Sequence, residues 1–136
     1  DEAGRLGICL AMESLRPQES QLVVTLKDAK RMYDEVNSQN LKILIDTTAM
    51  SVQGETIDDW FEVFGDEVIH THFIDSNPYG HLAWGFGNRS LQEYLEALNR
   101  HNYQGCLGQE LTEFDYYENP GEIDRKNMAA FEPFIR

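Results

Sequence analysis

Val68 to Gly87 reads VIHTHFIDSNPYGHLAWGFG. It opens on a short apolar run, the mark of a strand, and continues into the Asp, Asn, Pro and Gly that mark a turn or loop. The stretch holds His70, His72 and His81 together with Asp75. It is therefore either the strand end and loop of a metal-dependent site or a strand that happens to end in polar residues.

Working outward, three more short apolar runs share the character of the first: RLGICLAM, LKILID and GCLGQEL. Strands are expected near residues 6–13, 41–46, 67–74 and 105–111. The segments between them carry helical period. Leu22, Leu26, Ala29, Tyr33 and Val36 recur at spacings of three and four and line one face. Thr56 with Asp59 forms a capping box ahead of Ile57, Trp60, Phe61 and Phe64, and Gly65 stops that helix. Ser90 with Glu93 repeats the device before Leu91, Leu95 and Leu98. Asn119 and Pro120, a cap followed by proline in the first turn, open a last helix expected to bury Met128, Phe131 and Ile135. Four βα units in series predict an α/β fold with a parallel sheet.

Composition narrows the partners. With 136 residues, 41% of them apolar, the chain is large enough for one packed core. Its net charge of −13 disfavours phosphate backbones and anionic headgroups, so neither nucleic acid nor membrane is expected as a partner. No apolar run reaches the roughly 20 residues of a membrane span, and the opening DEAGRLG has no signal-peptide character, which points to the cytoplasm. Cys9 and Cys106 lie in apolar runs without metal-site spacing and are expected as buried, inert thiols.

Each expected strand ends in one residue able to bind a hard cation: Glu13, Asp46, His72 and Glu110. The carboxyl ends of parallel strands are where α/β folds bind ligands. Taken singly, an acid there is a cap or a solvated group, and a lone histidine is structural. Taken together, three carboxylates in one crevice repel one another unless a cation neutralises them or their pKa values rise. Three oxygen donors and one imidazole suit a divalent ion of the Mn2+, Mg2+ or Co2+ kind, with Zn2+ less favoured.

In AMESL, LIDTTAM, IHTHFID and GQELT, taken in that order, the sequence resembles the C-terminal half of a xylose-isomerase-like (β/α)8 barrel. That superfamily contains sugar isomerases, sugar 3-epimerases and the family 2 apurinic endonucleases. The resemblance implies that Glu13, Asp46, His72 and Glu110 bind one divalent metal, commonly manganese, and that Glu13 and Glu110 double as an acid/base pair. It implies a sugar or sugar-phosphate isomerase or epimerase working by proton transfer through an enediolate. The alternative is a noncatalytic half-barrel that binds a polyol or a protein partner. An endonuclease is disfavoured by the acidity and by the incomplete His/Asp set.

Further substrate contacts are sought in the loop. His70 shares a strand face with His72 and is expected to hydrogen-bond rather than ligate. Asp75 fixes the loop or meets substrate, His81 meets a sugar hydroxyl, joins a larger metal cluster or packs, and Trp84 and Tyr79 offer flat faces for a sugar. Ketohexose 3-epimerases carry a histidine and an arginine against substrate where this chain has Ala49 and Pro78. Four βα units make only half a barrel, with edges that do not persist uncovered. Residues 1–136 are accordingly expected to be one half-barrel unit and a fragment of a longer barrel, covered by its remaining half or by another copy.

Overall fold

A computed structural model describes residues 2–135. After a single helical turn, α1 (Glu2–Arg5), the chain builds β1 (Leu10–Glu13), α2 (Leu26–Val36), β2 (Leu41–Asp46), α3 (Thr47–Val52), α4 (Ile57–Phe64) and β3 (Val68–His72). A hairpin of β4 (Asp75–Asn77) and β5 (Tyr79–Leu82) follows, then α5 (Leu91–Arg100), β6 (Cys106–Gly108) and α6 (Pro120–Phe131). The strands β1, β2, β3 and β6 form one parallel sheet in that order, and β4 pairs with β5 in an antiparallel ribbon. This is the expected run of four βα units.

The helices start where their caps require. Thr25 and Thr56 each accept a hydrogen bond from the backbone three residues on, and Asp28 and Asp59 return it, closing two capping boxes. Ser90 and Asn119 cap α5 and α6, with Pro120 in the first turn of α6. The core lies between the sheet and these helices. Ile43 and Ile45 point into it from β2, and Trp60, Phe61 and Phe64 meet them from α4, with Phe73 and Trp84 closing the far side. The opposite sheet face carries Glu13, Leu44, Asp46, His70 and His72, as the strand register places them.

One irregularity decides which face the histidines occupy. Ile43 stands opposite Val68, but Leu44 stands opposite His70, so Ile69 is an extra residue in β3. Without this bulge Thr71 would face Asp46, and both histidines would turn toward the helices. With it, His72 sits beside Asp46. Gly105 leaves room for the bulge, since a Cβ there would lie 2.7 Å from the Ile69 carbonyl.

Several expectations are corrected. The first strand begins at Leu10 rather than residue 6, because the amides of Leu6 and Ile8 bond back to the α1 turn and Gly7 takes a φ of +67°. The third and fourth strands end earlier than expected, at His72 and Gly108. The helix α3 and the hairpin were not anticipated. Leu22 and Val36 are exposed, flanking or ending α2 rather than lining its buried face. In α6 the buried face runs through Asn127 and Phe131, so Met128 and Ile135 are exposed. Cys9 and Cys106 are exposed rather than buried. Cys106 pairs in register with His70, on the sheet face turned away from the helices.

The edges of the sheet remain apolar. Leu6, Ile8 and Leu10 are exposed at the β1 side, and Leu107, Phe134 and Ile135 at the β6 side, where they line a groove with Leu95 and Phe131.

Candidate metal centre and its surroundings

The sheet brings Glu13, Asp46, His72 and Glu110 together, with one ligand atom of each lying within 4.8 Å of the others. His72 is the hub. Its Nδ1 lies 2.6 Å from Glu13 Oε1, 3.1 Å from Glu110 Oε2 and 3.7 Å from Asp46 Oδ2. Glu13 ends β1, Asp46 ends β2, His72 ends β3, and Glu110 lies two residues beyond β6. Parallel strands in register deliver these four side chains to one end of the sheet.

Local chemistry holds the set in place. Asp46 is buried and also caps α3, its Oδ1 accepting from the Ala49 amide at 2.6 Å, which leaves Oδ2 for the cluster. Thr47 ties the two central strand ends together, donating to the Ile74 carbonyl at 2.8 Å and accepting from the Ile74 amide at 3.0 Å. Glu13 and Glu110 are only partly buried, so their carboxylates open toward the crevice.

The electrostatics call for positive charge. The carboxylates of Asp46 and Glu13 push the His72 imidazole up to about 10, and burial raises the Glu110 carboxyl above its ordinary value. In the metal-free protein the histidine supplies the cation from a proton. A divalent ion meets the same demand with more charge, and three carboxylate oxygens with one imidazole nitrogen form a donor set suited to Mn2+, Mg2+ or Co2+. The residues present therefore fit a divalent metal.

The loop residues divide by role. His70 stands edge-on to His72, with ring centroids 5.7 Å apart, one pleat deeper on the same face. Asp75 is buried and accepts from the amides of Ser76, Gly85, Gly87 and Arg89 at 2.8–3.1 Å, so it folds the loop upon itself. A side chain spent on four backbone donors is not turned to a substrate. Trp84 is sealed in the core at 2% exposure, its Nε1 donating to the Phe73 carbonyl and its ring packed on Phe73 and Tyr94, so it offers no open face to a sugar. Tyr79 is exposed at the hairpin. His81 lies on β5, buried, with Nδ1 3.3 Å from Glu110 Oε2 and Nε2 3.9 Å from Asp46 Oδ2.

Two supporting residues were missed by the sequence reading, Asn127 and Gln109. Asn127 of α6 is buried, accepts from the Trp84 amide at 2.7 Å and donates to the side chain of Gln109, the neighbour of Glu110. The signal was a polar residue four positions before Phe131 on a helix that must bury Phe131.

Comparison with known proteins places this arrangement. Fructoselysine 3-epimerase of Escherichia coli O157:H7 is 28% identical over 135 residues, covering 98% of this chain and 49% of that protein. D-psicose 3-epimerase of Enterocloster bolteae is 31% identical over 99 residues, 73% of this chain and 32% of the relative. The chain thus spans about half the length, or less, of the curated relatives it matches. Among solved structures, 3-keto-D-glucoside 4-epimerase from E. coli superposes with a TM-score of 0.78 at 22% identity, over 96% of this chain and 48% of the other. A family 2 AP endonuclease from Brucella melitensis superposes almost as well, at 0.76 and 20% identity over 50% of its length. Such structural likenesses show the fold, half of a (β/α)8 barrel, and do not separate the activities. The model of the xylose isomerase-like TIM barrel family matches residues 1–133, nearly the whole chain, and the chain belongs to that family.

Proposed function

We propose that this chain carries the metal site and acid/base pair of a divalent-metal-dependent sugar or sugar-phosphate isomerase or epimerase. The observation that carries the reading is the convergence of Glu13, Asp46, His72 and Glu110 on one point at the carboxyl end of the sheet. Those four would hold the metal, Mn2+ in first place. When bound, the metal supplies a positive charge that stabilises negative charge developing on a substrate carbonyl and its neighbouring hydroxyl.

The chain's own residues supply the rest. A proton beside a ketone is removed only where the resulting enediolate is stabilised, and in this reading Glu13 and Glu110, which enter from the first and last strands of the sheet, act from opposite sides of the substrate. One takes the proton and the other returns one. Return to the same carbon on the opposite face gives an epimer, and return to the neighbouring carbon gives an isomer. Burial of Glu110 raises its pKa, which suits a group that must both take and give a proton near neutral pH. His70 supports His72 from below, and Asp75 fixes the loop. The epimerase names of the curated relatives support sugar chemistry, and the small share of each relative that the chain spans supports a half-barrel completed by the remaining half or by another copy.

Calorimetry of Mn2+ binding to the chain, with Asp46→Asn beside it, tests the metal reading. One saturable site per chain, lost in the variant, is expected. Binding that is absent, or unchanged by the substitution, refutes it and brings forward a noncatalytic half-barrel that binds a polyol or a protein. In an assembled barrel with ketose turnover, Glu110→Gln should remove activity and leave the fold intact.

A further inference from the structure

A cavity of about 480 Å3 opens between α3, the start of α4 and α5. None of Glu13, Asp46, His72, His81 and Glu110 lines it, so it is separate from the crevice at the strand ends. Its size is that of a small-molecule site. Met50, Ile57 and Ala97, all buried, give it an apolar wall.

Arg89 lines the same cavity and is the residue that sets it apart. Its Nε donates to Ser76 Oγ at 3.1 Å and its amide donates to Asp75 Oδ1 at 3.0 Å, and both partners are buried, so the guanidinium is held at one corner. Among the described residues, its terminal nitrogens make no hydrogen bond and no acid lies within ion-pair distance of it. The chain has 24 acidic and only 11 basic side chains, so acids are not scarce. The other two partly buried cations, Arg16 and Lys42, are paired with Glu19 and Glu67. Arg100, the second arginine of the cavity, is taken by Asp58 at 2.5 Å. A partly desolvated guanidinium without an acid is costly, and its planar fork is shaped to hold a carboxylate by two parallel hydrogen bonds.

The surrounding charge decides what carries that carboxylate. Glu93, in the first turn of α5, stands at the same cavity, and its carboxylate makes no hydrogen bond among the described residues. Glu55 and Glu96 add negative charge to the lining. A simple anion would meet Arg89 against the repulsion of these three acids, and a simple cation would leave Arg89 unpaired. A zwitterion answers both. Tyr94 reports the two charges together: burial raises its hydroxyl above the ordinary value, Arg89 draws it down and Glu93 pushes it up.

We infer that this cavity binds an apolar α-amino acid, its carboxylate on the Arg89 guanidinium, its ammonium toward Glu93 and its side chain against Met50, Ile57 and Ala97. The site stands apart from the metal reading, because none of its residues belongs to the converging four.

The experiment uses the 136-residue chain without metal, isotopically labelled and followed by backbone amide NMR. The probes are L-leucine, isocaproate, which lacks the ammonium, and isoamylamine, which lacks the carboxylate. L-leucine should shift the amides of Ser51, Ile57 and Glu93 saturably, at one site per chain. Each half-ligand should bind about 10-fold or more weakly. Arg89→Gln should weaken L-leucine binding about 10-fold or more. Glu93→Gln should weaken L-leucine but leave isocaproate bound at least as well as in the parent, a reversal that loss of structure does not produce. Both variants should keep the parent spectrum away from the cavity, and if Arg89→Gln does not fold, the Glu93→Gln comparison decides. No saturable shift with L-leucine overturns the inference, and so does Arg89→Gln that binds L-leucine as the parent does. Isocaproate bound as tightly as L-leucine also overturns it, since the cavity would then take a plain anion.

Discussion

Metal binding at this site should compete with a single proton, and the structure gives the size of the effect. His72 Nδ1 faces three carboxylates, two of them within 3.1 Å, and its pKa is pushed up to about 10 by Asp46 first and Glu13 second. A nitrogen that ligates a metal must be unprotonated. At pH 7 only about one molecule in a thousand has His72 neutral, so apparent affinity is about 1000-fold below its proton-free limit and climbs about 10-fold per pH unit. The raised Glu110 carboxyl steepens the slope further on the acid side. Calorimetry of Mn2+ binding between pH 6.5 and 8.5, in two buffers of different ionisation enthalpy, measures both quantities. About one proton should leave per ion bound, and affinity should rise about 100-fold across that range. The variant His72→Gln, which has no such proton, should bind more weakly at its plateau and without the slope. Affinity that is flat in pH, with no proton released, would refute the reasoning, because a protonated Nδ1 cannot ligate a metal.

Other outcomes follow from single contacts. His72 is raised in the folded metal-free protein, so its contribution to stability is complete below the ordinary histidine value of 6.5 and is lost as pH rises toward about 10. The melting temperature of the metal-free chain should fall across that window, and His72→Gln should flatten the trend. Glu55 accepts from the first amide of α2 at 2.8 Å and from Trp60 Nε1 at 3.0 Å. Glu55→Ala should therefore cost about 2 kcal/mol in urea unfolding, while a loss under about 0.5 kcal/mol would show that water replaces both bonds. At Gly87 a Cβ would run into the Asp75 carboxylate and lie 2.5 Å from the Ser76 carbonyl. Gly87→Ala should destabilise by about 1–3 kcal/mol in the same measurement and shift the backbone resonances from Asp75 to Arg89.

The sequence made the βα order and the four converging residues readable because both rest on local rules. Capping residues mark Thr56 and Asn119 as helix starts whatever packs above them, and apolar runs mark β2 to the residue. The four converging residues could be picked out because each stands at or just beyond the end of such a run. What escaped depends on distance. The bulge at Ile69 is fixed by pairing with β2 and by the close approach of Gly105, neither of which a strand pattern encodes. Counting by twos from the buried Val68 would put His70 and His72 among the helices. Trp84 looked like a sugar platform because an aromatic in a glycine-rich loop is usually exposed, and only the fold shows that Phe73 and Tyr94 enclose it. The phase of α6 was misjudged for a related reason. Asn127 is polar yet buried, since Trp84 and Gln109 satisfy it, and pattern reading assigns such a residue to the surface.

The same contacts separate the four converging side chains from the hairpin that packs beside them. The four converging side chains are set by sheet register and by Thr47, which binds the ends of β2 and β3 together, so a substitution in the hairpin leaves them where they are. The hairpin hangs on different bonds. Asp75 gathers four amides, and Thr48 reaches the Gly80 carbonyl, which together fix the height of His81 over the cluster. A change at position 81 should therefore leave the four converging side chains in place, whereas a change at Asp75 should release the whole loop. The convergence of Glu13, Asp46, His72 and Glu110 thus depends on the sheet and not on the hairpin that packs over it.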